Sequence, residues 1–167
     1  MRAWLTGGVA GIAIGVAVAL SAARWAGAVT QPVAFDHRKH TQDLKLDCAL
    51  CHPNVEVGQH PGLPSVDICA MCHQTKLGTS SASAQVTGYV TSGRPLVFRK
   101  LFGLPPYVFF THRRHVAIAK LPCADCHGDI ALTTTPPRRP LVTITMNFCL
   151  HCHLKMHQST DCIACHR

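Results

Sequence analysis

The sequence predicts a mainly α-helical and irregular fold with little regular secondary structure, preceded by one N-terminal transmembrane helix. Three observations support this prediction. Among 167 residues there are only two Trp, two Tyr and six Phe, whereas eleven Pro and twelve Gly interrupt the chain. One short motif of cysteine and histidine recurs along it, and a long uncharged stretch lies near the N-terminus. Because so few aromatic side chains fill a core of this size poorly, buried bulk must come from bound groups.

The uncharged stretch covers residues 3–23, between Arg2 and Arg24. A helix of about 21 residues measures about 31 Å, which is the thickness of the hydrocarbon core of a bilayer. The alternative is a cleaved signal peptide, with AGA at 26–28 as its cleavage site. The length of the stretch favours a retained helix, so residues 1–28 are predicted to be an N-terminal membrane anchor.

The motif Cys-x-x-Cys-His occurs five times, as CALCH (48–52), CAMCH (69–73), CADCH (123–127), CLHCH (149–153) and CIACH (162–166). These copies use all ten cysteines. A single CxxC suits a redox dithiol or half of a zinc site. Zinc would not require a histidine after every pair, and a disulfide framework would not impose one spacing five times. CxxCH is the attachment signature of c-type haem, in which two thioethers hold the macrocycle and the adjacent histidine ligates the iron.

Five covalently attached haem c groups are therefore predicted, and they would supply the missing bulk. The cysteines predicted to hold them are Cys48, Cys51, Cys69, Cys72, Cys123, Cys126, Cys149, Cys152, Cys162 and Cys165. The predicted proximal iron ligands are His52, His73, His127, His153 and His166. The chain has a formal charge of +8, but the propionates of five haems contribute roughly −10. The positive charge therefore does not indicate a nucleic-acid partner.

An internal repeat leads into two of the motifs. FDHRKHTQDLKLDCALCH (35–52) and FTHRRHVAIAKLPCADCH (110–127) are offset by 75 residues and share ten of eighteen positions. The repeat defines haem module A at 33–76, with two motifs, and haem module B at 107–167, with three. Each copy carries two histidines three residues apart, which lie on one helical turn and can reach two irons. They are His37 and His40 in module A, and His112 and His115 in module B. Surface histidines in basic loops are the alternative, but recurrence in register favours ligation.

The pattern F-x-H-x-x-H-x7-C-x-x-C-H resembles the class III multihaem cytochromes. The resemblance implies that the first upstream histidine ligates the haem of the following motif, and the second ligates a neighbouring haem. His37 would then face the CALCH haem and His112 the CADCH haem. His40 and His115 would face the CAMCH and CLHCH haems.

The distal ligand of the CIACH haem is left open by these assignments. Met146 is the preferred candidate, and a methionine ligand would raise the potential of that haem above those with two histidines. Met146 is equally suited to apolar packing. His60 and His157 are the alternative ligands.

Residues 77–106 separate the two modules and are predicted to be a linker or interaction segment. The stretch LGTSSASAQVTG is small and polar, which is typical of a loop. The following stretch RPLVFRKLFGLPPYVFF (94–110) is apolar and basic and contains no haem motif. It either packs between the modules or forms a surface against another subunit.

The order of the features along the chain indicates a more specific resemblance. One N-terminal span, five CxxCH motifs, the lead-in FGLPPYVFFTHRRH and the stretch MNFCLHCH are together similar to the membrane-anchored pentahaem cytochrome c subunit of alternative complex III. That complex is a quinol-oxidising respiratory assembly. The resemblance implies an electron relay from quinol oxidation to a small cytochrome c or a terminal oxidase. It also implies an iron–sulfur or molybdopterin-like subunit, polytopic quinol-site subunits and a small cytochrome c as partners, with membrane attachment through residues 3–23.

Saturated six-coordinate haems favour electron transfer over catalysis, so the chain is predicted not to be an enzyme. One alternative is the cytochrome subunit of another membrane redox complex, such as a hydrogenase, a photosynthetic complex or a quinol dehydrogenase. The other is a small multihaem reductase, which would need an open iron position beside acid–base residues. Since haem is attached on the exported side, the prediction is a single-pass protein of the bacterial inner membrane with periplasmic haem modules.

Overall fold

Short helices joined by irregular segments make up the fold. The computed structural model describes Gly15 and residues 28–166. Within that part there is no β-strand, and the only extended pairing is an isolated antiparallel bridge between Val108 and His166. This agrees with the predicted helical and irregular fold class.

The helices coincide with the motifs and the repeats. In chain order they are a first π-helix at Lys39–Asp43, α1 at Cys48–Cys51, α2 at Val66–Ala70, α3 at Ser81–Ser92, a second π-helix at Arg113–Ile118, α4 at Ala124–His127, a 3₁₀ turn at Ile130–Leu132, α5 at Met146–Lys155 and α6 at Cys162–Cys165. Each of the five CxxCH motifs overlaps an α-helix, and each π-helix lies within one copy of the internal repeat. The elements that carry the predicted ligands are therefore also the regular elements of the fold.

The predicted transmembrane helix, residues 3–23, lies outside the described residues except for Gly15. In the part of the chain that the structure describes, no helix is long and apolar enough to cross a bilayer. The longest described helix, α3, has 12 residues and measures about 18 Å, whereas a hydrocarbon core is about 30 Å thick. This finding overturns the predicted single-pass localisation in the inner membrane with periplasmic haem modules.

Both copies of the internal repeat adopt the same unusual turn. In the first copy the Leu44 amide donates to the Lys39 carbonyl at 3.1 Å, five residues back, and the matching bond in the second copy measures 3.0 Å. Each wide turn is followed by a lysine with positive φ, 57° at Lys45 and 55° at Lys120. Wide turns of this kind are rare and concentrate at functional sites. The sequence similarity therefore extends to a shared backbone conformation between the upstream histidines and the CxxCH motif.

Helix α3 differs from the loop that the small, polar sequence predicts. The Ser80 hydroxyl accepts a hydrogen bond from the Ser83 amide at 3.0 Å and caps the first turn. The helix ends at Gly93, whose φ of 65° is the left-handed conformation that glycine adopts most easily. Its buried face includes Val86. Caps at both ends and packing along one face thus outweigh the weak helix propensity of serine, threonine and glycine.

The apolar core of the described residues is very small. Its buried hydrophobic members are Val33, Val86 and Leu96, with Phe35 and Phe98 packed against them. Many large apolar side chains elsewhere are exposed, among them Ile163 at 76%. A chain of this length normally buries far more apolar surface. The fold therefore presents apolar surface for bound groups to cover.

The apolar and basic stretch 94–110 contacts both modules. In module A, Leu96 joins the small core, and the ring centroid of Phe98 lies 6.4 Å from that of Phe35. Further along, Phe102 packs edge-on against the ring of His127 in module B, with centroids 4.5 Å apart. These contacts support the packing alternative for this stretch.

Candidate haem-binding sites

Each CxxCH motif folds as one helical turn. In four motifs the histidine amide donates to the carbonyl of the first cysteine at 2.8–2.9 Å, and these are the motifs that end at His52, His73, His127 and His166. The CLHCH motif lies within α5. Residues i, i+3 and i+4 share one face of a helix, so both thiols and the imidazole project to the same side. Attachment of one macrocycle through two thioethers and one axial ligand requires that arrangement.

Side chains just before the motifs fix the start of three of these turns. Asp47 accepts a hydrogen bond from the Ala49 amide at 2.7 Å, and Asp161 accepts one from the Ile163 amide at 3.2 Å. Thr145 caps α5 in the same way. The sequence analysis assigned no role to these residues, although an acidic or hydroxyl side chain before a helical turn is a recognisable N-cap signal.

Three pairs of histidine rings face each other at almost the same spacing. Their ring centroids are separated by 6.4 Å for His40 and His73, 6.3 Å for His112 and His127, and 6.2 Å for His115 and His153. A metal–imidazole bond is about 2 Å long, so two imidazoles on opposite sides of one metal ion have centroids about 6 Å apart. In each pair one ring belongs to a CxxCH motif and the other to the internal repeat. The donor set and the spacing fit a haem iron with two axial histidines.

The fourth upstream histidine, His37, lies beside the first motif. Burial lowers the pKa of His37, and the neighbouring His52 and His40 lower it further. The structure thus brings each upstream histidine next to a different motif histidine, in the order that the class III resemblance implies. Iron ligation by these histidines stays a prediction.

Hydrogen bonds orient most of these rings through Nδ1. Backbone carbonyls lie 2.7–3.0 Å from the Nδ1 atoms of His40, His52, His112, His115 and His153. The Nδ1 atom of His37 instead lies 3.2 Å from the hydroxyl of Thr133. When Nδ1–H donates to a carbonyl, Nε2 carries the free lone pair and can bind a metal. The backbone therefore selects the tautomer that a haem iron requires.

Burial also lowers the pKa of several of these imidazoles. Desolvation is the largest cause that lowers the pKa of His37, His73, His112 and His127 below the ordinary histidine value. Neutral imidazole is the form that coordinates metal ions. The environment of these side chains thus favours the ligating protonation state before any metal binds.

One phenylalanine contacts both upstream histidines in each repeat. Phe35 packs edge-on against His37 with centroids 4.8 Å apart, and it stacks on His40 at 4.4 Å. Phe110 repeats this arrangement with its own two histidines, at 4.9 and 4.6 Å. The sequence analysis recorded this phenylalanine as part of the repeat but gave it no function. The sequence did contain a signal for this role, because a phenylalanine occupies the same position in both copies of the repeat.

Cysteines of different motifs lie close to one another. Burial raises the pKa of one cysteine in each neighbouring pair, and the nearby thiol raises it further. The neighbouring pairs are Cys69 with Cys51, Cys48 with Cys123, Cys126 with Cys152, and Cys149 with Cys165. The proximity of these cysteines places the motifs in the spatial order CAMCH, CALCH, CADCH, CLHCH and CIACH.

Hydrogen bonds fix the two modules against each other beside this row of motifs. The Thr111 hydroxyl and the Arg113 amide both donate to the Gly58 carbonyl, each at 3.2 Å. Within the first repeat, the Thr41 hydroxyl donates to the Ala131 carbonyl at 2.8 Å. The second π-helix is therefore anchored to the loop after CALCH, and the first is anchored to the segment after CADCH.

The candidates for the last distal ligand are spread over the molecule. Met146 is the first residue of α5 and is 62% exposed. His60 lies near His112 and contributes, after burial, to its lowered pKa. His157 is exposed and has a φ of 52° just after α5. The aromatic ring that neighbours His166 belongs to Tyr107, which the sequence analysis did not consider.

Comparison with known proteins identifies the class. The family described as cytochrome c7 and related cytochrome c matches residues 108–167, and the class III cytochrome c family matches residues 16–92. Both are families with covalently bound haem c. With these matches and the relative described below, the chain belongs to the class III and c7-type multihaem cytochromes c. The predicted class III resemblance is confirmed at this level.

A curated relative covers nearly the whole chain. The protein named menaquinone reductase, multiheme cytochrome c subunit, of Nitratidesulfovibrio vulgaris strain Hildenborough is 30% identical over 191 residues. The alignment covers 96% of this chain and 91% of that protein. The chain is thus a relative of the multihaem cytochrome c subunit of a menaquinone reductase. Membership of alternative complex III is a more specific prediction, and this similarity does not show it.

Proposed function

We propose that this chain is a pentahaem electron-relay subunit of a quinone-linked oxidoreductase complex. The observation that carries the proposal is the set of three histidine ring pairs with centroids 6.2–6.4 Å apart. Haem c, when bound, supplies reversible one-electron chemistry. The ten motif cysteines hold the five groups, and the five motif histidines are the proximal ligands.

The upstream histidines are the distal ligands in this proposal. His37, His40, His112 and His115 face the CALCH, CAMCH, CADCH and CLHCH sites. Two histidine ligands would saturate each iron and would leave no position for a substrate. These four sites therefore suit electron transfer rather than substrate chemistry, and the chain acts as a non-catalytic subunit.

The spatial order of the motifs gives the relay two ends. The CAMCH site of module A is at one end and the CIACH site of module B is at the other. The CALCH and CADCH sites are adjacent where the two modules meet. The thiols of Cys48 and Cys123 lie close enough for Cys123 to raise the pKa of Cys48, so the two modules meet at this point. Electron donor and acceptor are therefore expected to bind near opposite ends.

The quinone link rests on two similarities. The resemblance to alternative complex III favours quinol oxidation, with electrons passed to a small cytochrome c or a terminal oxidase. The expected partners are an iron–sulfur or molybdopterin-like subunit and polytopic quinone-site subunits. The second candidate is the reverse direction, quinone reduction, which is favoured by the name of the curated relative, a menaquinone reductase subunit.

Purification of the complex from its native host tests the proposal. Co-purifying subunits are identified by mass spectrometry, and the haem content is measured by the pyridine haemochrome assay. Stopped-flow absorbance then follows the haems after addition of a menaquinol analogue or of a reduced small cytochrome. Haem reduction by the quinol supports quinol oxidation, whereas reoxidation by a menaquinone analogue supports the reverse direction. A protein that purifies alone, with haems that respond to neither compound, would refute the proposal.

A further inference from the structure

We propose that His73 is a weaker electron donor to its haem than His153, so that electrons in the relay collect at the CAMCH end. The inference rests on the proposed function and deepens it by giving the relay a direction, from module B towards module A. It comes from one atom, Nδ1 of His73, which is buried and has no hydrogen-bond partner in the described part of the chain.

The CAMCH and CLHCH sites form a matched pair. His40 faces His73 with ring centroids 6.4 Å apart and planes inclined by 34°. His115 faces His153 at 6.2 Å and 35°. His40 and His115 occupy the same position in the two copies of the repeat, and Nδ1 of each lies near a backbone carbonyl four residues back, at 2.7 and 3.0 Å. The upstream halves of the two sites are therefore alike, and the motif histidines can be compared directly.

The two motif histidines differ in what surrounds Nδ1. Nδ1 of His153 lies 2.7 Å from the Ser159 carbonyl. His52 in the CALCH motif has the same kind of neighbour, the Gly62 carbonyl at 2.9 Å. Nδ1 of His73 has no acceptor among the described residues, and its burial shields it from bulk water. The CAMCH site thus lacks a hydrogen bond that its counterpart has.

The path of the chain after each motif explains this difference. After CALCH and after CLHCH the backbone turns back through a residue with positive φ, 78° at Gly62 and 52° at His157. The returning segment then supplies the carbonyl. After CAMCH the chain instead continues into α3, which packs against α2, and the Leu77 amide donates to the Ser83 hydroxyl at 3.0 Å. No returning carbonyl therefore reaches the motif histidine there.

The missing hydrogen bond has a definite effect on an iron ligand. Donation from Nδ1–H to a carbonyl raises the basicity of the ligating imidazole and so stabilises ferric iron. Ferric iron also draws electron density from the ring, so a buried N–H without an acceptor costs more free energy in the ferric state than in the ferrous state. Both effects favour the ferrous state beside His73. The CAMCH haem should therefore have a higher reduction potential than the CLHCH haem.

Spectroelectrochemical titration of the holoprotein tests this order. We expect the two sites to differ about tenfold in their ratio of reduced to oxidised iron, which is about 59 mV for a one-electron couple. The matched variants His40→Met and His115→Met identify the sites, because a methionine ligand raises the potential of the site that carries it. The component that moves in His40→Met should have the higher potential in the wild type. The opposite order, or equal potentials, would overturn the inference.

A second variant covers the case in which His40→Met does not assemble. Cys69→Ala with Cys72→Ala removes the attachment of the CAMCH haem. The titration of this double variant should lack a high-potential component of the wild type. Loss of a low-potential component instead would place the CAMCH haem below its counterpart and would contradict the role of His73.

Nuclear magnetic resonance of the reduced holoprotein, labelled with ¹⁵N-histidine, tests the hydrogen bond itself. Low-spin ferrous haem is diamagnetic, and a hydrogen bond to a carbonyl moves an N–H proton downfield. The Nδ1 proton of His73 should therefore resonate upfield of that of His153, with the two signals assigned through the same variants. Equal shifts would show that His73 has an acceptor and would remove the basis of the inference.

The haem count separates failure of this inference from failure of the proposed function. Five low-spin haems that respond to the quinol or the small cytochrome, with the CAMCH potential at or below the CLHCH potential, would overturn the direction alone. A holoprotein with fewer than five haems, or one whose haems respond to neither compound, would overturn the relay itself.

Discussion

The imidazoles of His112 and His127 face each other with ring centroids 6.3 Å apart and planes only 12° from parallel. His112 is the residue before the second π-helix, and His127 ends the CADCH motif. A carbonyl from module A, that of Gln59, lies 2.9 Å from Nδ1 of His112. The position of this predicted ligand pair thus depends on the motif, the repeat and the other module together.

Replacement of His112 by methionine should raise the potential of a single haem. A methionine ligand in place of histidine stabilises ferrous iron, and a shift on the order of 0.1 V is modest within the range of about 0.8 V that axial ligands span. Spectroelectrochemical titration of the holoprotein would resolve one component that moves upward. His151→Met is the matched control, because His151 lies between the cysteines of CLHCH and is exposed. An unchanged titration curve in His112→Met would remove His112 from the ligand set.

Replacement of Phe35 by leucine should disturb two haems at once. Its ring contacts both His37 and His40, and each aromatic contact contributes about 0.5–1.5 kcal/mol beyond area burial. We expect the free energy of unfolding to fall by about 1–3 kcal/mol, with altered spectra for the CALCH and CAMCH haems. Phe110→Leu is the reciprocal control and should alter the CADCH and CLHCH haems instead. Identical spectral changes in the two variants would contradict the assignment of sites.

Removal of the last cysteine pair should leave four haems. In the double variant Cys162→Ala and Cys165→Ala, the CIACH site loses both thioether positions, and this site is at the end of the row. The pyridine haemochrome assay and intact-protein mass spectrometry should both give four haems per chain. Cys123→Ala with Cys126→Ala, in the middle of the row, should reduce folded yield much more. Equal yields for the two variants would argue against the proposed order.

Loss of the cap at Asp47 should destabilise the first motif without preventing haem attachment. The Asp47 carboxylate accepts a hydrogen bond from the Ala49 amide at 2.7 Å. An N-cap replaced by alanine costs about 1 kcal/mol, whereas asparagine keeps the acceptor. Thermal denaturation of the holoprotein should therefore show a lower Tm for Asp47→Ala and a nearly unchanged Tm for Asp47→Asn. A similar drop in both variants would point to the charge rather than the hydrogen bond.

The sequence predicts the helical and irregular fold and the locations of the motifs because each CxxCH turn is a local structure. It also nominates the four upstream histidines, since their spacing recurs in register with the motifs. It misses α3, whose polar composition hides a capped helix with one packed face. Tyr107 lies in a stretch without a motif, and its contact with His166 joins residues distant in the chain. The order of the motifs likewise depends on contacts between remote cysteines, which no local pattern encodes.

The small core, which has only three buried apolar residues within the described part of the chain, also bears on how the protein is made. With so little internal packing, a newly synthesised polypeptide has few apolar contacts to offset the loss of conformational entropy on folding. Attachment of the prosthetic groups is therefore expected to precede stable folding. Biogenesis then becomes a checkpoint: a chain released by the attachment machinery with an unfilled motif remains open to proteolysis. Chains that lack a haem would thus be degraded before they could join an assembly and block electron transfer through it.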